Sequence, residues 1–185
     1  MQKRNSVLTL FMVLSVFSCS LDYQEIAGSG ELSEKIPEAV LHDFIHRAVK
    51  DTKLVFSLEA EEAQLFQTQK KTLLTKVRFR EYDDNGEMGV EGRANSAVYF
   101  TDTENAEIYG AIYFRSTAEE TTLYASTLFW DKANRVLKSD GEQPVRIEKD
   151  DGAYLSGSGF SVDARRKALH YTRGVFGKYI HEDDE

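Results

Sequence analysis

Four segments of this chain carry one pattern, and its spacing constrains the fold more than any other feature. In LEAEEAQLF (58–66), GRANSAVYF (92–100), YASTLFW (124–130) and SGSGFSV (156–162) a small residue comes first: Ala60, Ala94, Ala125 and Gly157. Three positions later stands Ala63, Ala97, Leu128 or Phe160, and two beyond that Leu65, Tyr99, Trp130 or Val162. The units lie 34, 31 and 32 residues apart. Each runs into a polar turn (67–70, 101–105, 131–134, 163–166) and then a return segment: LLTKVRF (73–79), IYGAIYF (108–114), VRI (145–147) and LHYTRGV (169–175). A period in this range means stacked supersecondary units, none of which buries its own apolar face alone.

The units read as β-hairpins. Val, Thr and aromatic residues dominate after Pro37, and turn clusters recur at Lys50–Lys53, Asp83–Gly86 and Asp150–Gly152. Asn-Gly and Asp-Gly between apolar runs are strong short-range hairpin signals. Pro37 and Pro144 are the only prolines, so long strands go uninterrupted. In a regular strand one face holds alternate residues. Phe56, Leu58 and Ala60 share one parity, whereas Ala63 and Leu65 have the other. Leu123 and Ala125 against Leu128 and Trp130 repeat the change, as do Leu155 and Gly157 against Phe160 and Val162. Keeping all of them on one inner face requires each strand to gain a residue, as a β-bulge or corner. The expectation is an all-β, curved and twisted open jelly roll of repeated antiparallel hairpins. Phe56, Leu58, Ala63, Leu65, Tyr99, Leu128, Trp130, Phe160 and Val162 would line its inner groove. The segment PEAVLHDFIHRAVK (37–50) has apolar residues at 40, 41, 44, 45, 48 and 49 that fit a helix better than a strand, and the helix stays open. The turn and strand that follow it favour a strand.

The N-terminus reads as a secretory signal. Lys3 and Arg4 precede an apolar run, Val7–Phe17, that is short of the roughly 20 residues of a membrane-spanning helix. Val16-Phe17-Ser18-Cys19 then resembles a lipobox, with cleavage before a lipidated Cys19, although Phe17 is bulkier than usual there. The competing reading is an uncleaved anchor with an incidental cysteine. The expected organisation is a signal peptide over 1–18, a lipidated cysteine and Gly/Ser/acid-rich tether over 19–36, the β domain over 37–180, and an acidic tail over 181–185. Cys19 is the only cysteine, which excludes an internal disulfide, a Cys-based zinc site and a second thiol nucleophile. The net charge of the whole chain is −8. Such a surface repels nucleic acid and gains nothing from anionic headgroups. A lipid would have to be gripped by its acyl chains.

Catalytic constellations are weak. His42-Asp43-Phe44-Ile45-His46 is a degenerate version of a zinc-binding HExxH helix, with Asp where the motif needs Glu. Only His170 and His181 remain as further histidines. Asp131, Asp140, Asp151 and Asp163 recur at turns, where Asp is favoured for local hydrogen bonding rather than for paired-carboxylate chemistry. Arg165-Arg166-Lys167 reads as a solvated turn, and no phosphate loop or cofactor fingerprint occurs. Neither an enzyme nor a cofactor is expected.

At the repeat the chain resembles a known family. LEAEEAQLF followed by LLTKVRFREYDDNG, and TLFWDKANRVLKSD followed by VRIEKDDGAYLSGSGFSVD, are similar to the two halves of the LptC/OstA pattern. The similarity spans about residues 37–177. It implies a periplasmic jelly roll at the inner membrane that takes lipopolysaccharide, or a related glycolipid, from an ABC transporter of the LptB/LptF/LptG type. The cargo would pass to an LptA-like bridge protein. It also implies that a C-terminal edge augments the next sheet. Gly157, Gly159, Val175 and Gly177 are the candidates there. Well-known members carry a transmembrane anchor where this chain offers Cys19, so inner or outer membrane stays open. An envelope scaffold without lipid cargo is the alternative function.

Overall fold

Turn chemistry sets the hairpins. The computed structural model describes residues 36–166 and 168–180. Asp51 and Thr52 both have positive φ, 48° and 68°, as a two-residue type I′ hairpin loop requires. At the longer turn between Tyr82 and Met88, Asp83 Oδ1 accepts hydrogen bonds from the N–H groups of Asn85 (2.8 Å) and Glu87 (2.9 Å). Gly86 supplies the left-handed residue there, with φ +86°. Gly152 does the same with φ +86°, while Asp151 Oδ1 accepts from the Ala153 N–H at 2.7 Å. All three turns lie where the sequence put them.

Between these turns the described residues form twelve strands in one antiparallel sheet. The first six are long: β1 (Ala39–Lys50), β2 (Lys53–Phe66), β3 (Lys71–Tyr82), β4 (Met88–Phe100), β5 (Ala106–Ser116) and β6 (Thr121–Asp131). The rest are short: β7 (Val136–Lys138), β8 (Val145–Lys149), β9 (Tyr154–Ser158), β10 (Ser161–Asp163), β11 (Ala168–His170) and β12 (Arg173–Lys178). Strands β1 to β6 pair in sequence order. Then β7 continues beside the last part of β6, and β8 pairs with its first part. Beyond them β10 and β11 extend the β7 side, while β9 and β12 extend the β8 side. The short strands are therefore interrupted continuations of the same rungs. Segment 39–50 is a strand, and no helix occurs among the described residues.

The parity change foreseen in the repeats is present, but its mechanism differs. Leu58, Ala60, Ala63 and Leu65 belong to one apolar cluster with Leu74, Val77 and Ala97. Yet at the corner β2 gains no residue. Glu59 pairs with Arg78 and Glu62 with Thr75, so β2 and β3 stay in register through the corner. Both strands bend together and reverse their facing at the same level, so Leu74 and Val77 repeat the three-residue step of Ala63 and Ala60. The left-handed residues that make the bend lie on the alternate strands: Asp43 (φ 51°) in β1 and Lys76 (φ 51°) in β3. An added residue occurs at the corner of β5. Arg93 faces Tyr113 and Ser96 faces Tyr109 across β4–β5, with Gly110 and Ala111 both at positive φ. Its inner residues Ile108 and Ile112 are accordingly four apart rather than three. In the last rungs the strand simply breaks, at Gly141 (φ +84°) and Gly159 (φ +66°).

Candidate functional site

The corner divides the inner face into two walls, and the register aligns the repeats across each. Leu65, Tyr99, Trp130 and Val162, one from each unit, stand in a single cross-strand row. Thr72, Ala106 and Leu137 link them as successive partners. On the other wall Leu58, Phe79, Gly92, Phe114, Leu123 and Ile147 form the matching row. Between the rows lie the corner residues, with Ala63 and Leu128 fully buried and Phe160 at 1% exposure. A continuous apolar surface thus crosses the sheet from β1 towards β11 and β12.

The expected groove residues divide by depth. Leu58, Ala63 and Leu65 belong to the first cluster; Leu128, Phe160 and Val162 belong to a second, built on Ala94, Ile112 and Val145. Phe56 is half-buried and stacks on Phe79 at a centroid distance of 6.2 Å. Tyr99 and Trp130 lie nearer the rim, Tyr99 being 37% exposed and Trp130 half-buried. Burial, and to a lesser extent the Glu104 carboxylate, raise the Tyr99 hydroxyl above its ordinary value. Lys132, in an ion pair with Glu104 at 3.0 Å, opposes them. The return-strand residues Ile108, Ile112, Phe79, Phe114 and Val145 complete the inner face and were not singled out in the sequence. Their signal was the apolar content of the return segments, with steps of three and two in Leu74, Val77 and Phe79 and of four and two in Ile108, Ile112 and Phe114.

The four candidate edge residues do not lie together. Val175 and Gly177 are on β12, which among the described residues pairs only with β9. Gly157 is buried in β9 between β8 and β12, one strand inside the edge. A Cβ there would lie 2.9 Å from Tyr171 Cδ1 and 3.2 Å from the Arg173 carbonyl oxygen. Gly159 stands at the break before β10, where its positive φ and Thr172 Oγ1 leave no room for a side chain. Both glycines therefore serve the internal packing of the last rungs, Gly157 lying one strand inside β12 and Gly159 at the break before β10. At the opposite end β1 pairs, among the described residues, only with β2 and exposes Ile45 (54%) and Val49 (62%), as β12 exposes Phe176 (59%).

Elsewhere the chemistry is sparse. His42 Nδ1 lies 3.7 Å from Glu62 across β1–β2. Because β1 is a strand, the helical spacing that an HExxH site demands is not met. The turn acids act locally: Asp131 and Asp163 accept backbone hydrogen bonds from Asn134 and from Arg165 and Arg166. Arg115 and Asp150 make a two-armed ion pair at 2.8 and 2.7 Å, which holds the Asp150 carboxyl below its usual range. A concavity of about 570 Å³ at the corner is lined by charged residues, Glu59, Lys76, Arg78 and Arg93 among them, over Ala60, Val77 and Ala94.

Comparison with known proteins agrees with this architecture. The fold is similar to the crystal structure of LptH, the LptA homologous periplasmic component of the lipopolysaccharide transport device from Pseudomonas aeruginosa. The TM-score is 0.55 at 12% identity, over 68% of this chain and 95% of that one. An uncharacterized protein of Treponema pallidum (strain Nichols) is 28% identical over 120 residues, 64% of this chain. The aligned part spans 59% of that relative's length. Residues 7–179 match the family described as lipopolysaccharide-assembly, LptC-related, and the chain belongs to that family.

Proposed function

We propose that this protein is a periplasmic, membrane-anchored carrier that holds lipopolysaccharide or a related glycolipid by its acyl chains along the inner face. It accepts the lipid from an inner-membrane ABC transporter of the LptB/LptF/LptG type and releases it to an LptA-like bridge protein. The single observation that carries this reading is the row Leu65–Tyr99–Trp130–Val162, which joins all four units into one apolar track. Family membership supplies the cargo class. The domain is residues 37–180, and Val175 and Gly177 belong to the edge offered to the next protein. The signal peptide (1–18), the lipidated Cys19, the tether to residue 36 and the tail 181–185 lie outside or at the margin of the described residues. They are proposed on sequence grounds alone, as is attachment to the inner membrane.

A photo-reactive residue at Tyr99 or Trp130 should crosslink lipid in envelope preparations, and one at exposed Lys132 or Arg166 should not. Crosslinks without regard to the inner face would end the groove reading. A second reading, an envelope scaffold without lipid cargo, draws on the apolar residues at both open edges, Ile45 and Val49 on β1 and Val175 and Phe176 on β12. Protein crosslinks at those edges with no lipid at Tyr99 or Trp130 would favour it. For the anchor, Cys19→Ser should abolish incorporation of labelled palmitate and leave an uncleaved precursor.

A further inference from the structure

We infer that the corner of β2–β4 carries, on the face away from the groove, a site for the phosphate group of a phosphorylated saccharide. Glu59, Arg78 and Arg93 stand in one cross-strand row. They alternate with Leu58, Phe79 and Gly92 of the groove wall, so their side chains leave the sheet on its other side. The site is therefore separate from the apolar track and does not depend on the lipid-handling reading.

The row sets two cations against each other. Arg78 pairs directly with Arg93, both exposed, and like charges in such a pair cost stability. The acids at hand are engaged elsewhere. Glu59 stands opposite Arg78 in the ladder but accepts from Arg80 at 3.3 Å, and Glu61 is ion-paired with Lys76. Arg78 has no ion pair among the described residues. The Arg93 guanidinium lies over the Tyr113 ring, 4.9 Å from its centroid. That contact orients the group and uses none of its in-plane N–H donors. An oxyanion between the two arginines would accept from both and turn their repulsion into attraction.

The surroundings select what the anion is attached to. Both arginines line the concavity of about 570 Å³, which is the size of a small-molecule pocket and too large for a phosphate alone. Asp43, Lys76 and Ala111 line it too, and all three have positive φ, so the hollow forms where the strands bend. Asn95 is held there against Gly110, where a Cβ would lie 2.6 Å from Asn95 Nδ2. Carboxylates at Asp43 and Glu61 and the amide of Asn95 accept hydrogen bonds from hydroxyl groups, while the two acids oppose a polyanion. One anionic group and several hydroxyls fit this set. That is the chemistry of a sugar phosphate, free or as the headgroup of a glycolipid.

The test is isothermal titration of the full-length protein in detergent with glucose 1-phosphate, inorganic phosphate and glucose. Glucose 1-phosphate is expected to bind more tightly than either part. Arg78→Gln and Arg93→Gln should each weaken it about tenfold or more, the loss expected for a charged hydrogen-bonding partner. Neither should lower the melting temperature, because each removes a like-charge pair. Asn95→Ala should weaken glucose 1-phosphate and leave inorganic phosphate unchanged. A phosphorylated glycolipid in mixed micelles that displaces glucose 1-phosphate supports the site and identifies the headgroup as its source. Failure to displace it supports the site for the soluble sugar. Unchanged affinity in both arginine variants overturns the site, and glucose 1-phosphate binding no tighter than inorganic phosphate overturns its saccharide part. Lipid crosslinks at Tyr99 or Trp130 are expected whichever result is found, so the groove reading stands or falls separately.

Discussion

Phe79 and Phe114 meet edge to face, with centroids 5.1 Å apart, across a strand that separates them. The contact exists because Gly92, their shared neighbour in β4, has no side chain. A Cβ at Gly92 would lie 2.2 Å from Phe79 Cε1 and 2.6 Å from Phe114 Cδ1. With Phe56 stacked on Phe79, three rings tile one wall of the groove over that glycine.

Gly92→Ala should therefore push the rings apart and destabilise the domain by about 1–3 kcal/mol, the range for overpacking a close-packed site. Part of that loss is the aromatic pair itself, worth about 0.5–1.5 kcal/mol beyond buried area. A denaturant titration measures it. An unchanged midpoint would mean the two rings slide aside freely and do not define the wall.

Gly157→Arg bears on the assignment of the C-terminal edge. A strand edge would accept the side chain into solvent, but Gly157 is buried against Tyr171 and the Arg173 backbone. The expected outcome is a lowered melting temperature, with Gly157→Ala falling between the variant and the wild type. A Gly157→Arg protein that melts normally and fails only to bind a partner would return this residue to the edge.

Tyr171 gives the stability a basic limb. Burial raises its hydroxyl from 10.0 to about 12, so the neutral form is favoured in the folded state. A raised folded value means the contribution is fully present below the unfolded pKa and declines as pH rises through the folded one. Stability should fall between about pH 10 and pH 12, and Tyr171→Phe should flatten that decline. The same substitution removes the hydrogen bond to the Val145 carbonyl, at a cost of about 1 kcal/mol near neutral pH. An identical alkaline slope in wild type and variant would show that the group titrating there is another one.

The sequence by itself determined the units, their turns and their inward residues. Alternation, the two-residue turn at Asp51-Thr52 and the glycines at 86 and 152 are local facts, and each needs only its own neighbours to be satisfied. The equivalence of Leu65, Tyr99, Trp130 and Val162 within the repeat was legible too, and the ladder sets them in one row. Segment 39–50 was legible as a strand only through the hairpin after it, because its apolar spacing fits two periods. What tertiary structure alone decided was how the corner is made. Sequence periodicity shows that a strand changes the face it presents, but a lone strand can do so by gaining a residue or by bending with its partner. The hydrogen-bonded ladder chose bending for β2 and β3, and put the extra residue in β5. Only the ladder could place β12 outside Gly157, since which strand pairs with which depends on contacts distant in sequence.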